Sequence, residues 1–292
     1  MIRIAIASGK GGTGKTFIST NIFWSLLKSN ISAELVDCDA EAPNAVSFFT
    51  TEVIDAIEVT QQVPLIDREK CTFCGKCQEY CNYNAIFILP HVKVIQVIED
   101  LCHDCGACYY ACEYGALAEK SVPLGKVTHF SYGGEKIISE ARMNIGVLSP
   151  VKIIQAAVKS AGDNRDFIIL DSPPGTSCPF VQTVSASDYV ILVTEPTPFG
   201  LSDLRQSVDT LRGIGKPFGV IINRSGIGND DVLTYLAEQE IELLLEIPFS
   251  RVIAGLYSTG KIVSETDTVL SASLIEIVMN IRSTYGNSSH QR

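Results

Sequence analysis

The chain has 292 residues, 46% hydrophobic and 19% charged, with 23 basic against 33 acidic side chains and a net charge of −10. That composition is too apolar for a disordered chain, and the length predicts about two domains. The acidic balance argues against a nucleic-acid binder, whose phosphate contacts need a basic face. No apolar run reaches the roughly 18 residues of a membrane span.

The opening MIRIAIASGKGGTGKT has no basic start, apolar core or cleavage site of a secretory leader. A cytoplasmic location is therefore expected. Residues 2–8 read as a short strand ending at a Gly-rich loop, with a helix from about Thr16 to Lys28. Ala33–Asp37 reads as a second buried strand. Further apolar runs follow at Phe167–Asp171, Tyr189–Glu195, Phe218–Asn223 and Leu243–Phe249. They are continuous rather than alternating, as in a parallel sheet covered by helices. Helical patterns fall at about 150–161, 201–213, 230–239 and 270–283. Strand–helix alternation predicts a doubly wound, mostly parallel α/β domain.

The alternation stops near residue 64 and resumes near 121. Between them CTFCGKCQEYCNYNAI (71–86) repeats as CHDCGACYYACEYGAL (102–117), 31 residues later. A small duplicated domain, 64–120, is thus expected inside an α/β domain made of 1–63 and 121–292. Pro64 and Pro123–Gly125 are the expected hinges. A hairpin is expected around Gly133–Gly134. The tail GNSSHQR is expected to fray.

Gly9-Lys10-Gly11-Gly12-Thr13-Gly14-Lys15-Thr16 fits G-x-x-x-x-G-K-[ST], between a strand and a helix. Backbone N–H groups of such a loop, and the helix N-terminus, cradle phosphate oxygens. Lys15 is expected to reach the β- and γ-phosphates of ATP, and the Thr16 hydroxyl to ligate Mg²⁺. With its early Lys10, GKGGTGKT resembles the deviant Walker A of the MinD/ParA/Mrp group. The resemblance implies that Lys10 acts in trans, in a nucleotide-dependent homodimer closed over ATP. LVDCDAEAPN resembles that group's switch I and implies that Asp39 positions the attacking water; Asp37 is either its partner or a structural strand end. FIILDSPPGTS resembles the Walker B acid and switch II of Mrp-type cluster carriers. This assigns Asp171 to Mg²⁺ through water and lets the Gly175 N–H sense the γ-phosphate. IINR places Asn223 where relatives read the adenine edge, and Pro248 and Phe249 are expected to flank the base.

Ten cysteines in a reducing compartment point to metal rather than disulfides. Eight of them form two C-x2-C-x2-C-x3-C runs, the spacing of bacterial two-cluster ferredoxins. Three thiolates on one tight loop, relaxed by the Gly after the second Cys, grip three corners of a cube. The fourth corner comes from the start of a helix. The ferredoxin resemblance implies crossed ligation: Cys71, Cys74, Cys77 and Cys112 hold one [4Fe–4S] cluster, and Cys102, Cys105, Cys108 and Cys81 the second. Spacing alone leaves open that each run holds its own cluster. A zinc module would need paired cysteines at longer separation. Asn82 and Glu113 replace the Pro that commonly follows the fourth Cys. Segment 64–120 has five basic and eight acidic residues, a surround that lowers cluster potential. Tyr80, Tyr83, Tyr109, Tyr110 and Tyr114 are expected to pack over the clusters. Cys178, just after switch II, is either a metal ligand at the dimer axis or, like Cys38, a small buried thiol.

The chain therefore resembles a MinD-superfamily P-loop ATPase carrying an inserted small α+β ferredoxin-like domain. The resemblance implies ATP-gated electron transfer to a redox partner protein. The alternative is ATP-dependent maturation, with an apo-metalloenzyme as partner. A spatial organiser on DNA or membrane is disfavoured, because the C-terminal segment is not a basic amphipathic anchor.

Overall fold

The computed structural model describes residues 1–286; the remainder of the expected fraying tail, 287–292, lies outside the described residues. Nine strands, six of them the apolar runs of the sequence, form one sheet. These are β1 (Ile2–Ala7), β2 (Ala33–Asp37), β3 (Glu52–Ile66), β6 (Leu117–Tyr132), β7 (Glu135–Met143), β8 (Phe167–Asp171), β9 (Tyr189–Thr194), β10 (Phe218–Ser225) and β11 (Leu243–Pro248). Their order is β11-β10-β9-β1-β8-β2-β7-β6-β3. β1 pairs in parallel with β8 and β9, β2 with β8 and β7, and β10 with β9 and β11. Every residue of β2, β8 and β9 is buried, which explains their unbroken hydrophobicity. Each fully buried Ile, Leu or Val contributes about 1.5–3 kcal/mol, so these central strands carry much of the hydrophobic stabilisation.

Helix α1 (Lys15–Lys28) turns Phe17, Ile18, Ile22, Phe23 and Leu26 into that core. It packs against β2, β8 and the C-terminal helix α9 (Thr268–Tyr285). Helices α4 (Val151–Ser160) and α5 (Cys178–Ser185) pack together, as do α6 (Pro198–Gly213) and α7 (Asp231–Glu238). The short α8 (Arg251–Ser258) follows β11. Sequence periodicity did not mark α5 or α8, which span eight residues each.

β6 and β7 neighbour one another through Gly133–Gly134, both with positive φ (63° and 88°), as a two-residue hairpin turn requires. The expected hinges are not hinges. Pro64 lies within β3 and Pro123–Gly125 within β6. Pro64 is tolerated because β3 is the edge strand, where a missing N–H costs least.

Two compact units divide the chain. The first is Met1–Ile57, Val127–Arg142 and the chain from Pro150 onward; the second is Glu58–Lys126 with Met143–Ser149. Within the second lie α2 (Lys76–Glu79), α3 (Ala107–Ala111) and the antiparallel pair β4 (Ile86–Leu89) and β5 (Val94–Val97). Among its described residues Ile86, Ile88 and Ile95 form a small apolar cluster packed against Ile66, Phe73 and three cysteines, with Val63, Ala85, Ala111, Ala116 and Leu124 buried besides. A core that small needs staples beyond apolar burial. Gly75 and Gly106 (φ 85° and 76°) precede the two short helices at matching places in the repeat, and Phe73 and Asp104 are also left-handed (56° and 52°).

Candidate functional site

Two kinds of site are built from these elements. In the first unit the loop after β1 and the ends of β2, β8 and β10 converge on a cavity of about 430 Å³. Gly11, Gly12, Gly14, Lys15, Thr16, Asp39 and Asn223 line it. Gly14 starts α1 at φ 102°, and a Cβ there would strike the Asn223 amide. Glycine is therefore required on both conformational and steric grounds.

The charges of this cavity are crowded and only partly compensated. Asp171 is 1% exposed, and neither carboxylate oxygen has a hydrogen-bond partner. Burial pushes its pKa up to about 6, despite the Thr16 hydroxyl and Lys15 ammonium nearby. Burial likewise pushes Lys15 down, and the Asp171, Asp39 and Asp37 carboxylates oppose that shift. Asp39 is raised, chiefly by burial, and faces Lys15. The Thr13 hydroxyl is also buried without a partner. Unsatisfied buried groups of this kind cost about 1–3 kcal/mol each. An orphaned carboxylate beside a threonine hydroxyl fits a hydrated Mg²⁺, and a buried lysine at a helix start fits the phosphates it would accompany.

Asp37 sits differently. It is fully buried, and its oxygens accept the N–H groups of Asp39 (3.1 Å), Asn44 (2.9 Å) and Ala45 (2.9 Å). That is the structural strand-end role, fixing the turn that presents Asp39. Its carboxyl is raised well above the ordinary range by burial and by Asp171.

Three residues have contacts the sequence did not disclose. Lys10 Nζ donates to Glu195 Oε1 of its own chain at 2.5 Å, while Arg224 holds Glu195 Oε2 at 2.9 Å. Asn223 spends its amide within the protein: Nδ2 donates to the Thr13 carbonyl (2.8 Å), and Oδ1 accepts the Arg224 N–H (2.9 Å). The Gly175 N–H donates to the Ser8 carbonyl at 3.0 Å. Pro174, Pro248 and Phe249 line the cavity as the motifs suggested. Phe17 of α1, Arg224 at the end of the IINR strand, and Ile253, Ala254 and Tyr257 of α8 join them. Tyr257 stacks on Phe48, with ring centroids 5.1 Å apart.

The second unit contains two smaller cavities. Cys71, Cys74, Cys77 and Cys112 line one; Cys81, Cys102, Cys105 and Cys108 line the other. Each wall thus takes three cysteines from one repeat and the fourth from the other. All eight are free thiols. The fourth cysteine does not begin a helix, contrary to expectation. Cys112 caps the C-terminal end of α3, and Cys81 follows the end of α2. Among the described residues no three His, Cys, Asp or Glu side chains gather tightly enough for a single ion. The thiols stand instead around a space, a donor set suited to an iron–sulfur cluster.

The tyrosines divide. Tyr114 lines the first cavity, and Tyr83 and Tyr109 the second, with Tyr83 stacked on His103 at 3.9 Å. Tyr80 lines neither and is 49% exposed, while Tyr110 is 89% exposed, so they do not act as covers. Of the lone cysteines, Cys38 is fully buried beside Asp37, and burial raises its thiol well above the ordinary range. Cys178, at the start of α5, is exposed, so it is not the buried thiol considered for it.

Residues 4–263 match the CobQ/CobB/MinD/ParA nucleotide binding domain. The chain belongs to this family. This MinD/ParA-type chain is 30% identical over 267 residues to an uncharacterized protein of Methanocaldococcus jannaschii, covering 89% of the chain and 91% of that protein. It is 25% identical over 256 residues to an iron-sulfur cluster carrier protein of Rickettsia typhi, covering 86% of the chain but only 63% of the carrier. Among solved structures, the Pyrococcus furiosus cell division ATPase MinD superposes with a TM-score of 0.57 at 20% identity, covering 96% of this chain and 99% of that one. The fold is accordingly a mostly parallel α/β P-loop NTPase like MinD. Among the described residues no helix is long and apolar enough to cross a membrane.

Proposed function

We propose that this MinD/ParA-type ATPase couples MgATP binding and hydrolysis to electron transfer from two [4Fe–4S] clusters to a partner redox protein. The observation that carries the reading is the pair of cavities, each walled by four cysteines drawn from both repeats, in a chain that also bears the phosphate loop. Residues 64–120 form the inserted ferredoxin-like domain, and 1–63 with 121–292 the ATPase domain. When bound, the clusters supply one-electron chemistry at low potential.

The nucleotide site does the rest with its own residues. Backbone N–H groups of Gly9–Thr16 receive the phosphates, and Lys15 neutralises the β- and γ-oxygens. Thr16, and Asp171 through water, would hold Mg²⁺, whose charge would compensate the unpartnered Asp171 carboxylate. Asp39, half-buried and facing Lys15, orients the attacking water. Lys10 leaves Glu195 and reaches the nucleotide of a second copy, closing a homodimer. Asn223 reads the adenine edge once its amide turns away from the Thr13 carbonyl. Closure and reopening move switch I and switch II, which follow Asp37 and Asp171.

The similarity to an iron-sulfur cluster carrier favours a second reading: ATP-dependent maturation, in which the partner is an apo-metalloenzyme. An anaerobic EPR redox titration with MgADP and then a non-hydrolysable MgATP analogue separates the two. A nucleotide-dependent potential supports gated electron transfer, since coupling between the sites is reciprocal. Identical potentials in both states would move maturation to first place.

A further inference from the structure

The two cysteine cavities have equivalent thiols but not equivalent charges. Superposing the repeats at their 31-residue offset pairs Lys76 with Ala107 and Phe73 with Asp104. Among the described residues Lys76 is the one charged side chain lining the cavity of Cys71, Cys74, Cys77 and Cys112. Among the described residues Asp104 is the one carboxylate lining the cavity of Cys81, Cys102, Cys105 and Cys108.

Lys76 also forms an ion pair with Glu113 at 2.5 Å. Glu113 does not line the cavity. It occupies the place after the fourth cysteine where Asn82 stands in the first repeat. The ammonium is therefore the nearer charge to the first cavity, and the carboxylate partly offsets it from outside. The two side chains are 45% and 67% exposed, so solvent screens the pair without cancelling its asymmetry.

We propose that Lys76 and Asp104 set the two clusters at different potentials, higher in the Cys71/Cys74/Cys77/Cys112 site and lower in the Cys81/Cys102/Cys105/Cys108 site. The inference rests on the cluster reading above. Reduction adds one negative charge to a cluster. A cation on the wall stabilises that added charge, and an anion opposes it. Lys76 thus favours the reduced state of the first site and Asp104 the oxidised state of the second. A single electron received from a one-electron donor protein accordingly rests on the first site, leaving the donor oxidised by one electron.

The test uses the whole chain, purified anaerobically, with Lys76→Gln, Glu113→Gln and Asp104→Asn compared by EPR redox titration. Asparagine keeps the left-handed backbone that position 104 adopts, so the third variant preserves the loop. Two separate couples are expected in the parent protein. Lys76→Gln lowers the upper couple and Glu113→Gln raises it. Asp104→Asn raises the lower couple alone. A tenfold change in the reduced-to-oxidised ratio would appear as about 59 mV in a one-electron couple. The proposal is overturned if no couple moves, if one substitution moves both couples equally, or if Lys76→Gln and Glu113→Gln shift potential in the same direction. Failure of the cluster reading itself looks different: the parent protein then lacks iron and acid-labile sulfide, and there are no couples to titrate.

Discussion

Glu195→Gln tests whether the cis contact of Lys10 restrains dimer closure. In the structure Lys10 Nζ lies 2.5 Å from Glu195 Oε1, with side chains 29% and 13% exposed. Exposed ion pairs are worth about 0.2–1 kcal/mol, and hydrogen bonds to charged groups about 1.5–3 kcal/mol. This half-sheltered pair falls between, at about 1.4 kcal/mol, a factor of ten in the release of Lys10. Closure of a symmetric pair releases two such lysines. Removing the Glu195 charge should therefore tighten nucleotide-dependent self-association roughly 100-fold. Sedimentation velocity over a concentration series, with Mg²⁺ and a non-hydrolysable ATP analogue, reads this directly. Association unchanged or weakened in Glu195→Gln would refute the view that Glu195 holds Lys10 back.

The remaining predictions concern other parts of the molecule. Lys15→Ala should abolish ATP hydrolysis and leave iron content intact; loss of both together would contradict separate nucleotide and cysteine sites. Asp171→Asn should stabilise the nucleotide-free protein at pH 7.5 by about 3 kcal/mol, because the folded carboxyl titrates near 6 rather than 3.8 and its charged form is penalised. That advantage should fade as pH falls through 6 towards 4, where the parent Asp171 is neutral too, and urea midpoints across this range would show it. By the same titration, MgATP affinity of the parent should weaken below about pH 6, measured by calorimetry. Gly14→Ala should abolish nucleotide binding, since it places a side chain against Asn223 at a left-handed backbone position. His129 is fully buried, with Nδ1 on Asp55 and Nε2 2.9 Å from the Ser160 hydroxyl. His129→Leu should cost about 2 kcal/mol of stability in chemical denaturation and leave the iron content unchanged.

What the sequence disclosed follows from how local each signal is. β2 and β8 end at Asp37 and Asp171 as read, because parallel strands buried on both faces leave continuous apolar runs. The phosphate loop is equally legible, since its glycines answer to backbone geometry within eight residues. β3 was missed: seven of its fifteen residues are exposed before the first buried one, so it has no apolar run to announce it. Pro64 and Pro123 look like hinges in the sequence yet lie within strands, because proline marks a loop only when strand pairing needs the missing N–H. Glu195 was invisible as a partner of Lys10, lying 185 residues away with no motif around it. Tyrosine density alone does not show that Tyr110, by its place on α3, turns to solvent.

The crossed arrangement of the cysteines bears on how the second unit is built. Cys81, Cys102, Cys105 and Cys108 all lie between Cys71 and Cys112 in the chain. Tying Cys112 to the first three cysteines closes a loop of roughly 40 residues, and the entropy of that closure is spent once. The other four thiols are already inside the loop and near one another, so filling the second site adds little further closure cost. If the two sites take the proposed clusters, their filling is cooperative. Molecules with no cluster and molecules with two should dominate during assembly, and half-filled ones should be scarce. A lost Cys112 would injure both repeats at once, although it lies in only one of them.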